Sequence, residues 1–513
     1  MPKLRLFSLT PTAKVFPDEP VRESELCSYF EGFQNETISF QIAFQGMVEL
    51  DRRPVYLETF SPLSAWIRIR TVLTVPVRLA TLPNADDNYL RKTPGLYPDL
   101  LRNQQRDEPL ASLRVQTGQW QSFWLDVEAE GSCKPGTYPI ELQLKDTKNE
   151  NVLATISVSV TILPGMLPPQ KLIRTHWFHA DCLAEYYRVP VFSEEHWSII
   201  EKFIRVAVRR GCNMILTPLF TPPLDTAPGG ERLTVQLVDV TVHDGEYSFG
   251  FERMERWVEV CRRCGVSYLE MAHLFTQWGA KAAPKIMAAI DGVEKRLFGW
   301  ETDAHGEEYA RFLREFLPAL MDELKRLGVA DRVYFHISDE PSLEHLEDYR
   351  HACSLVKPYI QGRPVIDALS DFAFYQTGAL QKPVVAIDHL EQFLQAEVSG
   401  LWTYYCVGQY RDVTNAFIAM PAARTRILGV QLYLFQLEGF LQWGYNFYHT
   451  ELSRRQINPY ETTDAGGVFP SGDPFQVYPG PDGNPEESLR FMNLHLAMQD
   501  LRALEALETL RGR

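Results

Sequence analysis

Tyr334 to Pro341 reads Tyr-Phe-His-Ile-Ser-Asp-Glu-Pro, and the reading of this stretch decides the fold. It starts as a strand, because Val333, Tyr334, Phe335 and Ile337 are β-branched or aromatic. It ends in two adjacent carboxylates, Asp339 and Glu340, closed by Pro341. Proline has no N–H for a ladder, so the strand stops there. Neighbouring side chains of a regular strand point to opposite faces. Two adjacent acids therefore converge on one substrate only where the pleat breaks. Converging like charges push one pKa upward, which makes a proton donor and a negative partner from similar groups. The plainer reading is a surface Asp-Glu at a strand-to-helix turn, with Asp339 or Ser342 capping a helix from Leu343.

Outward from this stretch, strand and helix alternate. Strands are expected at Leu172–Phe178, Asn213–Leu219, Tyr268–Leu274, Val333–Ile337, Pro364–Ala368, Val384–Ile387, Leu401–Cys406 and Gly439–Trp443. Helices are expected at Glu194–Arg210, Glu252–Cys264, Glu307–Leu327, Leu343–Val356, Asp371–Thr377, Leu390–Ala396 and Ala422–Gln436, with a last one at Glu486–Leu510. Eight such units predict an α/β fold of the (β/α)8 TIM-barrel type over residues 171–513. A doubly wound open sheet is the alternative, but no glycine-rich phosphate loop follows the first strand.

Residues 1–165 read as an all-β sandwich domain. Glu36–Phe44, Gln121–Val127, Tyr138–Leu144 and Ala154–Ile162 alternate apolar and polar residues, separated by turn signals such as Lys134-Pro135-Gly136. Tyr89–Leu101 breaks the pattern and reads as a long loop carrying an aromatic residue and an acid. The proline-rich Leu163–Gln170 is the expected boundary.

The 513 residues carry a net charge of −15, which excludes nucleic acid and anionic membrane as partners, since both need a basic surface. The N-terminal stretch lacks a signal-peptide core and no apolar run reaches membrane-spanning length, so the expected location is cytoplasmic. The eight cysteines then read as reduced thiols. Cys261 and Cys264 form a CxxC, but it lies on an amphipathic helix without a second such pair.

A barrel places its active site at the C-terminal ends of its strands. Those ends supply His176, Trp177, His179 and Asp181 after strand one, and His273, Gln277 and Trp278 after strand three. Strand four supplies His336, Asp339 and Glu340; strand six, Asp388 and His389; strand seven, Tyr404 and Tyr405; strand eight, Trp443, Tyr445, Asn446 and Tyr448. Aromatic faces stack on sugar C–H faces and carboxylates bind hydroxyls, so this mouth points to carbohydrate rather than phosphate. Asp339 and Glu340 are the expected catalytic pair. His179, His273, Trp278, His336, Asp388, Tyr404, Tyr405, Trp443 and Asn446 are the expected substrate-binding residues. Strand seven, Leu401 to Tyr410, offers no carboxylate before Asp412. A nucleophilic glutamate, which many barrel glycosidases carry there, is missing. Either the two acids side by side on strand four suffice, or the substrate supplies the nucleophile, as the 2-acetamido oxygen of an N-acetylhexosamine does. One carboxylate would hold the acetamido N–H and the next protonate the leaving oxygen.

The Asp339-Glu340-Pro341 strand end, Trp402 to Cys406, Gly439 to Tyr448, Ser471 to Pro481 with the helix Glu486 to Leu501, and the strand within Asn35 to Phe44 together resemble glycoside hydrolase family 123, the β-N-acetylgalactosaminidases, and its less characterised relatives. The resemblance spans most of the chain. It implies a β-sandwich followed by a barrel and a retaining, substrate-assisted cleavage of terminal β-linked N-acetylhexosamine, N-acetylgalactosamine foremost, from an oligosaccharide or glycoconjugate. It implies no metal and no cofactor. It maps the acetamido-orienting acid onto Asp339 and the acid/base onto Glu340, and marks the loops after strands two and three as the place where substrate choice would differ. Glu340 is then expected to carry a raised pKa and Asp339 to stay ionised. Two other classes remain open. One is a metal-dependent sugar isomerase or lyase using His179, Asp181, His273, Asp339 and Asp388 as an oxygen and nitrogen cage. The other is a glycan-binding protein without catalysis.

Overall fold

The computed structural model describes residues 4–104, 112–277 and 279–512. The chain divides into two compact units.

The first unit holds residues 1–170, 416–434 and 486–513. One antiparallel sheet orders Leu4–Leu9, Thr37–Gly46, Trp120–Glu128, Ile67–Val77 and Gly95–Asn103, with Glu487 and Ser488 paired along the last of these. A second sheet orders Tyr29–Phe33, Val152–Leu163, Gly136–Asp146, Pro54–Phe60 and Leu113–Arg114. Phe40, Ile42, Phe44, Phe123 and Leu125 from the first sheet share a core with Leu57, Ile140, Leu142, Leu144 and Val160 from the second. Alternation puts one face of each strand into that core, which makes a β-sandwich.

The outer face of the first sheet is also covered. Helix Leu489–Arg511 buries Leu489 and Met492 against Val72, Leu101 and Trp124. Arg490 is fully buried and grips Asp99 at 3.0 Å. Helix Leu428–Leu434 lies so close to it that a Cβ on Gly429 would meet the Ala497 carbonyl oxygen at 2.0 Å, so only glycine fits. The unit boundaries thus differ from the expected 171–513: the last helix and residues 416–434 fold with the sandwich, whose second apolar face needs a cover. The expected loop Tyr89–Leu101 is also corrected. Gly95–Asn103 is a strand paired with Ile67–Val77, and its Pro98 sits where the register shifts at Leu73 and Thr74. Its acid, Asp99, is consumed by Arg490 rather than offered to a ligand.

The second unit holds residues 171–415 and 435–485. Its eight parallel strands are Ile173–His176, Met214–Thr217, Tyr268–Met271, Val333–Phe335, Ile366–Ala368, Lys382–Ala386, Trp402–Tyr405 and Gly439–Gln442, hereafter strands one to eight. Hydrogen bonding runs in the order four-three-two-one-eight-seven-six-five. Strands four and five, three residues each, meet through a single parallel bridge between Phe335 and Val365. The result is a nearly closed barrel. Inward residues from alternating strand positions fill it, among them Met214, Leu216, Ile366, Val384, Trp402 and Leu441.

The helical layer is thinner than a full set of eight. Glu194–Arg209, Glu252–Cys264, Glu307–Arg326 and Leu346–Val356 are substantial, whereas Phe372–Gln376 and Leu390–Gln395 are single turns. The helices between strands seven and eight, Ala422–Arg426 and Leu428–Leu434, belong to the first unit. Cys261 and Cys264 sit on Glu252–Cys264 as buried thiols, both pushed up by burial.

Two excursions were not expected. Hairpins Asp239–His243/Glu246–Gly250 and Ile286–Ile290/Val293–Phe298 follow strands two and three and join into one four-stranded sheet. Each turns at an Asp-Gly pair with positive φ, at Asp244-Gly245 and Asp291-Gly292. That dipeptide is the strongest short-range hairpin signal in a sequence.

Candidate active site

The pleat breaks where the sequence requires it. Strand four ends at Phe335, and Glu340 adopts a left-handed backbone with φ of 49°. That conformation costs a non-glycine residue roughly 1–2 kcal/mol, and it turns Glu340 to the same side as Asp339. Ser342, not Asp339, caps the following turn, in a reciprocal box with His345. Asp339 is therefore not spent on a helix end. Both acids line a cavity of about 380 Å³ at the C-terminal end of the barrel strands.

The cavity wall combines aromatic rings and acids. Trp177, Tyr404, Trp443 and Phe469 supply the rings, and Asp225, Asp339, Glu340 and Glu451 the carboxyls. Tyr404 donates its hydroxyl to Glu340 Oε1 at 2.7 Å. Burial, then the charge of Glu340, push the Tyr404 phenol well above its usual range, so it stays a donor. Trp443 is held by its indole N–H to Asp473 Oδ2 at 3.2 Å and packs edge-on against Phe469.

Asp339 is the perturbed acid. Burial, and second the neighbouring Glu340, raise its pKa well above the ordinary carboxylate range. Its buried Oδ1 has no hydrogen-bond partner among the described residues. The expectation of an unperturbed, ionised Asp339 is thus corrected: the raised pKa falls on Asp339, the more buried of the two acids. Asp225 also binds protons more tightly than usual, pushed up by burial to about 6.

Behind the wall runs a buried charged chain. Glu270 of strand three accepts from Thr175 at 2.5 Å, from the Trp177 indole at 2.8 Å and from His336 Nε2 at 2.6 Å. His336 Nδ1 faces Asp367 at 3.1 Å, and Asp367 also accepts from Tyr349 at 2.6 Å. Burial alone would lower the His336 pKa, but the hydrogen bonds to Asp367 and Glu270 outweigh it and lift the group to about 9. His336 is thus an imidazolium between two carboxylates. His273 stacks on it, ring centroids 4.1 Å apart. Burial and the His336 charge keep His273 neutral. Trp177, whose indole is fixed by Glu270, carries this order forward to the cavity.

The expected binding residues divide accordingly. Tyr404 and Trp443 line the cavity. Tyr405 does not: one step along the strand it faces the other way and packs on Phe440, centroids 5.1 Å apart. His336 and His273 lie in the buried layer, not on the wall. His179 is buried, with Nε2 on the Trp443 carbonyl at 3.2 Å and Nδ1 on Arg232 at 3.1 Å. Asn446 clasps the His179 backbone through two bonds of 2.9 Å. His179 thus braces the Trp443 backbone and Asn446 holds His179, and neither lines the cavity. Asp388 is partly exposed and takes a bond from Gln409 at 3.1 Å, away from the cavity wall. Trp278 lies outside the described residues. Asp225, Gln277, Glu451, Leu452 and Phe469 complete the wall, on loops whose sequences carry no regular pattern.

The proposed metal cage is not assembled. Among the described residues, the groups of three or more close metal-ligating side chains are Asp181 with Cys182 and His449, and His273 with His336 and Asp367. Neither contains Asp339 or Asp388. In the first, Arg232 already pairs with Asp181 through Nε at 2.7 Å and Nη2 at 2.8 Å. In the second, both His336 nitrogens are engaged by carboxylates.

An acidic, aromatic cavity at the strand ends of a barrel, with an adjacent acid pair on its wall, is the site of a carbohydrate-active enzyme. Residues 177–507 match the catalytic domain of glycoside hydrolase 123, and the chain belongs to that family of glycoside hydrolases. The family 123 glycoside hydrolase of Clostridium perfringens, whose structure was solved to detail glycolipid glycan hydrolysis, matches with a TM-score of 0.75 at 14% identity. The match covers 99% of this chain and 89% of that one, and shows a shared fold. A GH20 exo-β-N-acetylglucosaminidase of Vibrio harveyi (8% identity, TM-score 0.31, 99% and 98% coverage) and a β-glucuronidase of Bacteroides uniformis (11%, 0.33, 92% and 48%) are far more distant in shape. No curated protein matches the sequence. Among the described residues no helix is long and apolar enough to cross a membrane.

Proposed function

We propose that this enzyme is a retaining glycoside hydrolase that removes terminal β-linked N-acetylhexosamine, N-acetylgalactosamine foremost, by substrate-assisted catalysis. The observation that carries the reading is the convergence of Asp339 and Glu340 on one cavity while strand seven contributes Tyr404 and no acid. Burial and the neighbouring Glu340 raise the Asp339 pKa in the free site. In the substrate complex Asp339 accepts the acetamido N–H as a carboxylate, which the positive charge developing on the cyclising acetamido group favours, and the proton is on Glu340. The acetamido oxygen then attacks the anomeric carbon, and Asp339 balances the positive charge of the cyclised intermediate. Glu340 protonates the leaving oxygen and afterwards deprotonates the water that opens the ring. Tyr404 holds Oε1, which leaves Oε2 to carry the proton. Trp443 stacks under the sugar. Retention follows from two inversions.

The reading is tested with three aryl glycosides: β-N-acetylgalactosaminide, β-N-acetylglucosaminide and unsubstituted β-galactoside. The acetamido compounds are expected to turn over and the 2-hydroxy compound not, and a thiazoline mimic of the intermediate should inhibit. Equal turnover of the 2-hydroxy glycoside would overturn it.

A further inference from the structure

Gln277, on the loop after strand three, is only 5% exposed, yet its buried Nε2 has no partner among the described residues while it lines the cavity. Its Oε1 accepts the Asp225 backbone N–H at 2.9 Å, which fixes the amide's orientation. Asp225 in turn accepts the Leu452 N–H on Oδ2 at 3.0 Å, and its other carboxyl oxygen has no partner among the described residues. The Asp225 backbone is itself left-handed, with φ of 39°, as is that of Leu452 at 55°. Strain at both residues is tolerated where the fold must aim groups. Glu451 joins them on the same wall. A buried amide N–H without a partner is costly unless something else binds it, so the donor awaits a ligand acceptor.

The charge of the cavity is one-sided. Its described wall contains four carboxyl groups and no lysine or arginine. Arg232 acts on Asp225 from behind. Its nitrogens are taken by Asp181, the Leu224 carbonyl and His179. A sulfate or carboxylate on the sugar would therefore find acids and no countercharge.

We propose that Asp225, Gln277 and Glu451 form a hydroxyl-reading wall that takes an uncharged sugar and turns away its sulfated or carboxylated counterparts. Gln277 donates to a sugar oxygen, and Asp225 and Glu451 accept from sugar hydroxyls. The proposal rests on the hydrolase reading above and adds the class of sugar it accepts.

The test compares kcat/KM for an aryl β-N-acetylgalactosaminide with its 4-sulfate and 6-sulfate forms, on wild type, Asp225→Asn, Glu451→Gln and Gln277→Met. Like charges brought together in a desolvated site oppose binding strongly, so wild type should favour the neutral glycoside over at least one sulfate by about 100-fold or more. That ratio should fall about tenfold in Asp225→Asn or Glu451→Gln. Gln277→Met should raise KM for the neutral glycoside several-fold. The ratio is internal to each sample, so partial misfolding cancels. A wild-type ratio near one for both sulfates, or a ratio unmoved in both acid variants, overturns the proposal. Aryl galactoside and its sulfates are run in parallel. If the galactoside is the better neutral substrate, the acetamido mechanism fails, and the galactoside ratios decide the wall.

Discussion

Tyr404 places its hydroxyl 2.7 Å from Glu340 Oε1, joining the end of strand seven to the end of strand four across the cavity. A hydrogen bond to an ionisable group contributes about 1.5–3 kcal/mol, which converts to about one to two decades in rate when it is made in the transition state. Tyr404→Phe should therefore lower kcat by about 10- to 100-fold with little change in KM. Tyr405→Phe should leave both constants near wild type, because that ring packs on Phe440. Steady-state kinetics on the two variants check this, and equal losses would remove Tyr404 from the machinery.

Much of this arrangement is legible in the sequence because it obeys short-range rules. Each expected barrel strand overlaps an observed one, since β-branched and aromatic runs between helical segments have few other uses. The acid pair is legible because Pro341 ends the strand beside it. What the sequence hides is set by packing. Tyr404 and Tyr405 look equivalent until the pleat sends one inward. Asp339 and Glu340 look equivalent until burial raises the first. Helix Leu489–Arg511 looks like a barrel helix because periodicity reports an apolar face but not the sheet that covers it. Asp225 and Glu451 sit in loops, where no period marks a position.

The buried ion chain gives a stability prediction. Replacing His336 by Phe leaves Glu270 and Asp367 buried without their shared cation, which should cost about 3–5 kcal/mol in urea unfolding. The folded pKa of His336, about 9, lies above its ordinary 6.5. Its contribution is whole below about pH 6.5 and is lost as pH rises through about 9. The wild-type advantage over the variant should thus shrink, by on the order of 3 kcal/mol, between pH 6.5 and pH 10. An advantage constant across that range would mean that His336 is neutral.

Activity should survive exhaustive chelation. The ligating groups are already occupied: Arg232 holds Asp181, and carboxylates hold both His336 nitrogens. A divalent ion would have to displace bonds already made. Turnover is measured before and after dialysis against a chelator, and a loss that one divalent ion restores would favour the metal-dependent isomerase or lyase reading.

Asp339 and Glu340 should fail in different ways when each is removed. Protonation of the leaving oxygen matters most when the leaving group is a poor one, because an activated phenolate departs unaided. Glu340→Ala should therefore hurt aryl glycosides of high leaving-group pKa most, by about two to three decades, and spare the most activated ones. Asp339 acts on the other side of the same displacement, by holding the acetamido group and balancing the charge of the ring that forms as the leaving oxygen departs. Every substrate must cyclise, so Asp339→Asn should slow all of them by a similar factor, about two to three decades. The same variant removes the acid whose pKa burial and Glu340 raise, so the pH profile of kcat/KM should change shape as well as height. The measurement is a leaving-group series on both variants. If Glu340→Ala shows no steeper dependence than wild type, or if Asp339→Asn spares activated substrates, the two roles are wrongly assigned.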